Sequence, residues 1–285
     1  MGFFDNFFGK TQANDITAAS EEANRRYQQG LSQFTNTTND YLGKSLGYLA
    51  PYAAAGGDTL KLLGGAPLIA WAIGAAQRAR EIDRLILTTE DEEIAELGRK
   101  LGIEVPFKRP EELASDKATG IMVAQHSLHA MDQLGYRADV HVHLFPTCPF
   151  LPPAKIDAAI RLVKDGCDSA IGVQDAGHAH PFRAVVFKDG GPTIRPYLDT
   201  PLAQKPVNRQ DLPPVFVRCG AIYARRRVLL DDWRGEDFAL GKTWGGVTLS
   251  DIEASNIDRP IDFEFAEFLV SKKDDAALAN KPTAG

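Results

Sequence analysis

From residue 66 onward, short apolar, β-branched runs alternate with stretches whose apolar positions recur every three or four residues. That alternation constrains the fold more than any other feature of the chain. Strands separated by helices cannot pair through tight hairpins, so they assemble into a mainly parallel sheet covered by helices on both faces. The periodicity predicts helices over 67–80, 91–101, 115–134, 153–164 and 261–271. Pro67 suits a first turn, and Gly102 and Gly166 suit the residue just past a helix end. Strands are predicted over 84–89, 140–145, 169–173, 183–188 and 215–224, with Asp189-Gly-Gly-Pro192 as a hairpin loop. In such sheets ligands collect beyond the carboxyl ends of the strands.

The first 60 residues are built differently. They hold no Val, His or Cys, whereas the remainder carries all six His and all three Cys. Ile16, Ala19, Ala23, Tyr27, Leu31, Phe34, Tyr41, Leu46 and Leu49 recur at mostly helical spacing and predict a helix over 16–49, broken by Pro51 and Gly56-Gly57. The expected organisation is a helical segment over 1–60, an α/β domain over 61–275 and a tail over 276–285. Phe3, Phe4, Phe7 and Phe8 form a cluster that serves either as an anchor for a partner or lipid surface, or as a terminus packed on its own body.

Charge and cysteine content narrow the function. A net charge of -6 argues against broad electrostatic binding of nucleic acid. Three cysteines make no disulfide framework and point to a reducing, cytoplasmic setting. No apolar run reaches the length of a membrane span.

Seven stretches then occur in order. They are Lys61-Leu-Leu-Gly-Gly-Ala-Pro-Leu-Ile-Ala-Trp71, Leu85-Ile-Leu-Thr-Thr-Glu-Asp-Glu-Glu-Ile-Ala95, Glu104-Val-Pro-Phe-Lys-Arg-Pro-Glu-Glu-Leu-Ala-Ser-Asp116, Phe145-Pro-Thr-Cys-Pro-Phe150, Asn208-Arg-Gln-Asp-Leu-Pro-Pro214, Gly220-Ala-Ile-Tyr223 and Ile257-Asp-Arg-Pro-Ile-Asp-Phe263. In order and spacing they resemble the acylneuraminate cytidylyltransferases, from residue 61 to about 270. The resemblance implies a Rossmann-like nucleotidyltransferase fold and a homodimer. It also implies attack of the anomeric hydroxyl of a nonulosonic acid (sialic, legionaminic or pseudaminic type) on the α-phosphorus of CTP, with Mg²⁺ neutralising the triphosphate.

The resemblance carries roles onto single residues. Arg109, Ser115, Asp116, Pro146, Thr147 and Cys148 match nucleotide-site positions. Arg209 and Gln210 match positions that meet the sugar acid, and His180, in His178-Ala-His180-Pro, lies near the sugar. Asp258 matches one of two metal aspartates, and Asn256 stands in place of the other. Arg109, Asp258 and Arg209 are the expected catalytic set. Ser115-Asp116 and Asp258 also read as helix caps, Arg109 as a surface arginine and Arg209-Gln210 as a polar loop.

Where the family carries a basic, glycine-rich phosphate loop, this chain reads Tyr48-Leu-Ala-Pro-Tyr-Ala-Ala-Ala-Gly-Gly-Asp-Thr-Leu60, without Lys or Arg between Lys44 and Lys61. Residues 1–60 are similar to the N-termini of bacteriophage internal virion or DNA-ejection proteins. That likeness implies a second reading: a structural or interaction protein whose arm docks to a virion partner, with a degenerate cytidylyltransferase-like body. A β-strand at 46–52 in the central sheet is the observation that excludes a simple foreign helical arm. Among other constellations, His141-Val-His143 reads as a polar strand face or, with a carboxylate, half of a metal site. Arg225-Arg-Arg227 reads as a solvated loop. Cys148 lacks the spacing of a nucleophile's triad.

Overall fold

The computed structural model describes residues 44–49, 59–115, 117–188, 190–198, 208–235, 237–272 and 281–282. Its centre is strand β1 (Ser45–Leu49), every residue of which is buried. Two very short strands, β2 (Leu62–Leu63) and β3 (Ala66–Pro67), form a hairpin that leads into helix α1 (Leu68–Arg78). Strand β4 (Arg84–Leu87) and helix α2 (Glu92–Lys100) follow, then helix α3 (Gly120–Gln133) and strand β5 (Val140–Leu144). Helix α4 (Pro153–Lys164) leads to strand β6 (Ser169–Asp175). The small hairpin of β7 (Val185–Phe187) and β8 (Ile194–Pro196) stands apart from the main sheet. Strand β9 (Phe216–Arg226), helix α5 (Arg227–Asp231), strand β10 (Trp244–Thr248) and helix α6 (Pro260–Ser271) complete the described chain.

The six-stranded sheet has the order β10-β6-β9-β5-β1-β4. Strand β1 runs parallel to both neighbours, Leu49 pairing with Leu87 on one side and Leu144 on the other. Strand β9 is inserted antiparallel between β5 and β6. The chain leaves β1 toward β4 and later returns to β5 on the opposite side. Right-handed crossovers in opposite directions put their helices on opposite faces. Accordingly α1 and α4 pack with Leu49, Leu87, Val142 and Ile222 in one core, while α3 packs with Leu46, Tyr48 and Ile86 in the other. The reversal leaves a crevice at the carboxyl ends of β1 and β5, where nucleotides bind in this architecture.

Most predicted elements appear within a few residues of their expected bounds, and the loop at 189–192 does join a hairpin. Three readings change. The helix expected over 16–49 gives way at its described end to β1, because Leu46, Tyr48 and Leu49 complete a sheet that no helix could enter. The α/β body therefore includes residues 45–49, ahead of the boundary expected at 61, and a foreign helical arm that reaches residue 49 is excluded. The rest of that helix, the Phe3–Phe8 cluster and the phage-like arm lie outside the described residues, as do positions 50–58. Second, the helix expected from 115 begins at Gly120, with the Thr119 hydroxyl, not Ser115, accepting the Met122 amide at 3.3 Å. Third, β10 was not foreseen. Its Gly245 lies where a Cβ would meet Leu162 Cδ1 at 2.9 Å, so this strand needs glycine to approach α4 closely.

Hydrogen exchange tests the placement of β1. Amides of Leu46–Leu49 are expected to exchange as slowly as those of Val140–Leu144, through global unfolding. Fast exchange at 46–49 beside a protected β5 would show that the segment is not a sheet strand.

Candidate active site

At the carboxyl end of β5 the chain turns sharply, the Cys148 amide donating to the Phe145 carbonyl at 3.0 Å. The turn buries Pro146, Thr147 and Cys148. The segment before α6 docks on it. The Ile257 amide donates to the Thr147 carbonyl at 2.9 Å, and the Cys148 thiol reaches Asn256 Oδ1 at 3.6 Å. Asn256 Nδ2 in turn donates to Asp258 Oδ2 at 2.7 Å. The structure thus brings together Pro146, Thr147, Cys148 and Asp258, far apart in sequence. Asp258 is exposed at the α6 N-terminus, where its amide and that of Arg259 donate to Asp262 Oδ2 at 3.3 and 2.9 Å.

Across the crevice, β4 is followed by Thr88, Thr89 and Glu90. The Arg109 amide donates to the Thr89 carbonyl at 3.0 Å. Its guanidinium is buried, with Nε donating to Glu90 Oε2 at 3.0 Å and Nη2 bonded to the same oxygen. Arg109 is therefore no surface arginine, and Glu90 is a site residue the sequence reading missed. The signal was available: an arginine on a buried edge needs a counter-charge, and Glu90 directly follows an apolar strand. Ser115 is exposed, its hydroxyl donating to the Glu112 carbonyl at 2.8 Å. Asp116 lies outside the described residues.

His180 and Gln210 meet in a cavity of about 340 Å³ beyond the end of β6. His180 Nδ1 accepts the Phe182 amide at 3.1 Å, so the proton sits on Nε2, which donates to the Pro213 carbonyl at 3.1 Å. The imidazole thereby ties the turn at Pro181 to the segment that starts β9. Arg209 adjoins Gln210 in the turn Arg209–Asp211.

A larger cavity, about 590 Å³, opens between α3 and the face of β5 and β9. Phe145, Tyr223, Trp233 and Phe238 form its walls, with Ser115 and Thr119 at its rim. Tyr223 follows the kink at Gly220, whose φ of 72° an L side chain rarely adopts. A short loop carries Trp233 and Phe238. Trp233 Nε1 donates to the Asp237 carbonyl at 2.8 Å, and Gln125 Nε2 pins the Leu230 carbonyl to α3 at 2.7 Å. Beneath lie His141 and His143, which do share a strand face. The Tyr48 ring contacts both, with centroids 4.4 and 4.5 Å apart, and its hydroxyl donates to the Gly120 carbonyl at 3.1 Å.

Electrostatics keep this floor neutral. Burial, with Arg225 close by, holds both histidines well below the usual imidazole range. Burial likewise pushes the Cys148 thiol up to about 12, which removes the thiolate a nucleophile would need. Among the described residues no group of three or more His, Cys, Asp or Glu side chains could hold a metal ion. Asp258 alone still fits a hard cation of the kind bound through one or two carboxylates plus substrate phosphates.

The parallel-centred α/β sheet opens its crevice at the switch point, and comparison with known proteins shows what the chain is similar to. The profile of the family described as cytidylyltransferase matches residues 57–183. The chain is 27% identical over 229 residues to the CMP-N,N'-diacetyllegionaminic acid synthase of Legionella pneumophila, covering 78% of this chain and 93% of that protein. It is 25% identical over 207 residues to the post-translational flagellin modification protein B of Campylobacter coli, covering 72% of this chain and 85% of that one. Among solved structures, a CMP:2-keto-3-deoxy-manno-octonic acid synthetase complexed with CTP superposes with a TM-score of 0.60 at 15% identity, over 81% of this chain and all of that one. The fold is that of the cytidylyltransferases. In sequence the chain is similar to the acylneuraminate cytidylyltransferases, and these matches support a nucleotidyltransferase.

The buried titratable groups set a pH window for stability. His141 and His143 bind protons less readily folded than unfolded, so their contribution is complete above the ordinary value of 6.5 and is lost as pH falls below it. Cys148 holds its proton more tightly folded, so stability declines as pH rises above the ordinary thiol value of 9.0. Urea midpoints are expected to fall on both sides of this window, and His141→Leu to flatten the acid limb. A wild-type profile that stays level below the window would contradict the neutral floor.

Proposed function

We propose that the protein transfers CMP from CTP to the anomeric hydroxyl of a nonulosonic acid and releases pyrophosphate. One observation carries the reading. The 590 Å³ cavity opens at Phe145, directly beside the turn Pro146–Cys148 on which Asp258 is docked. A nucleotide on that turn and a sugar acid in that cavity meet at the carboxyl edge of β5. This carries to the chain what its relatives' names state: a CMP-sugar acid is their product.

In this reading Pro146, Thr147 and Cys148 seat the nucleotide by shape and backbone groups, and Ser115 and Asp116 belong to the same nucleotide set. The Arg109–Glu90 pair shapes the nucleotide side. Asp258 holds Mg²⁺ together with triphosphate oxygens, and the ion would supply charge neutralisation at the phosphates. Arg209 pairs with the carboxylate of the sugar acid, while Gln210 and His180 hold the loop that presents it. The sugar hydroxyl attacks the α-phosphorus, the bond to pyrophosphate breaks, and the hydroxyl proton leaves to solvent or phosphate. Catalysis is then largely positioning and charge compensation. Use of CTP and three free thiols suit a cytoplasmic enzyme.

The chain acts as a homodimer in the same reading. Hairpin β7–β8 exposes Val185, Phe187, Ile194 and Tyr197, an apolar patch typical of an interface.

Pyrophosphate release is expected only when CTP, Mg²⁺ and a sialic, legionaminic or pseudaminic type acid are all present. Asp258→Ala should lower kcat about 100-fold or more, the scale of several kcal/mol of lost charge compensation. Release without the acid, or equal turnover in the variant, would refute the assignment. Light scattering on the eluting protein should give twice the chain mass, and Phe187→Asp should shift it toward one chain; a monomeric wild type would remove the dimer.

A further inference from the structure

Helix α6 presents two opposite faces. Inward, Phe263, Ala266, Leu269 and Val270 pack with Trp71 and Phe150 in a closed core. Outward, Ile261, Phe265 and Phe268 stand 57%, 51% and 53% exposed. Their spacing of four and then three residues puts them on one stripe along the helix. Single exposed apolar side chains are ordinary, but three large ones in line on one helix mark a surface that another element covers. Glu264 borders the stripe and is exposed. Among the described residues the ion pair of this helix, Arg259 with Asp262 at 2.8 Å, leaves Glu264 without a partner.

A complementary stripe exists in the same chain, outside the described residues. Ile16, Ala19, Ala23, Tyr27, Leu31 and Phe34 recur at three- and four-residue spacing. A helix there, carrying Gly30, is marginal alone in water and gains its stability from a packed apolar face. Ala19 and Ala23 are small, so such a helix offers hollows that the Phe265 and Phe268 rings fill, large against small. Arg26, three residues past Ala23, borders this stripe as Glu264 borders the other. Residues 35–43, which join the segment to Lys44, reach about 30 Å, nearly twice the length of β1. A second copy fits less well. The 12 residues of α6 make a face of about 18 Å by about 10 Å, far below the roughly 800 Å² per partner of a stable interface. For a tethered segment that small face suffices, because the linker keeps its effective concentration high.

We infer that the outer face of α6 is a docking site for residues 16–34 of the same chain, bound as an amphipathic helix with Ala19 and Ala23 against Phe265 and Phe268 and with Arg26 beside Glu264. The inference does not depend on the reaction proposed above. Asp258 lies at the N-terminus of α6, so the docked helix buttresses the element that carries it. An arm that serves another protein instead would leave the stripe bare.

The test uses the full chain with the photo-crosslinking residue p-benzoylphenylalanine placed at position 265. Isotopically heavy and light protein are mixed equally, so mass spectrometry separates crosslinks within a chain from those between chains. Irradiation should join position 265 to a peptide from 16–34 of the same chain. Without the probe, trypsin should cut after Arg25 or Arg26 at least about 10-fold more slowly in wild type than in F265D, because proteolysis of a docked segment follows its open fraction. E264K, which sets a second cation beside Arg26, should be cut about 3-fold faster than wild type. Unfolding midpoints identify any variant that fails to fold, and the probe at position 268 then carries the comparison. Crosslinks only to a second chain would show a self-association face and overturn the inference. Crosslinks elsewhere in the chain, no crosslink at all, or equal cleavage of wild type and F265D would also overturn it.

Discussion

A parallel strand with neighbours on both sides and helices over both faces has no contact with water, so its residues must satisfy two cores at once. Strand β1 is in that position, and the site depends on it. Leu49 packs with α1 and α4 on one face, and Tyr48 reaches toward α3 on the other. The Tyr48 ring spans His141 and His143, and its hydroxyl reaches Gly120 at the start of α3. One side chain thus sets the spacing between the sheet and the helix that bounds the larger cavity.

The chemistry divides along the same line. At the carboxyl edge, the Pro146–Cys148 turn and the segment carrying Asp258 are joined by backbone and side-chain hydrogen bonds. Below, the floor is polar but uncharged, because burial keeps both histidines neutral. Against it stands Arg225, a cation removed from water.

What could be read before any coordinates were the elements with a strong period and clear ends. Helix α2 carries Asp91 as its cap, two glutamates in its first turn and Gly102 beyond its end, and it forms where these predict. Strand β5 is a run of alternating His and apolar residues and pairs as expected. Strand β1 was misread because Leu46 and Leu49 are three apart and satisfy a helical period as well as a strand buried on both faces. Strand β10 was missed because Gly245 and Gly246 weaken any local strand preference; the close approach to α4 that requires glycine exists only after folding. In the site, Cys148 and Asp258 were singled out, but their junction through Asn256 was not.

The sequence by itself determined the class of fold, through the alternation of periods, and it singled out short motifs, Pro146–Cys148 and Asp258, that the structure brings together. Local spacing suffices there, because a turn or a cap is decided by neighbouring residues. Only the tertiary structure decided which charges are buried. Glu90 became the partner of Arg109, and Arg225 left an apparently solvated basic run for the wall of a cavity, because strand register sets which side chains face inward. A shift of one residue in β9 would have turned Arg225 outward and its neighbours in. No count of charges along the chain contains that information.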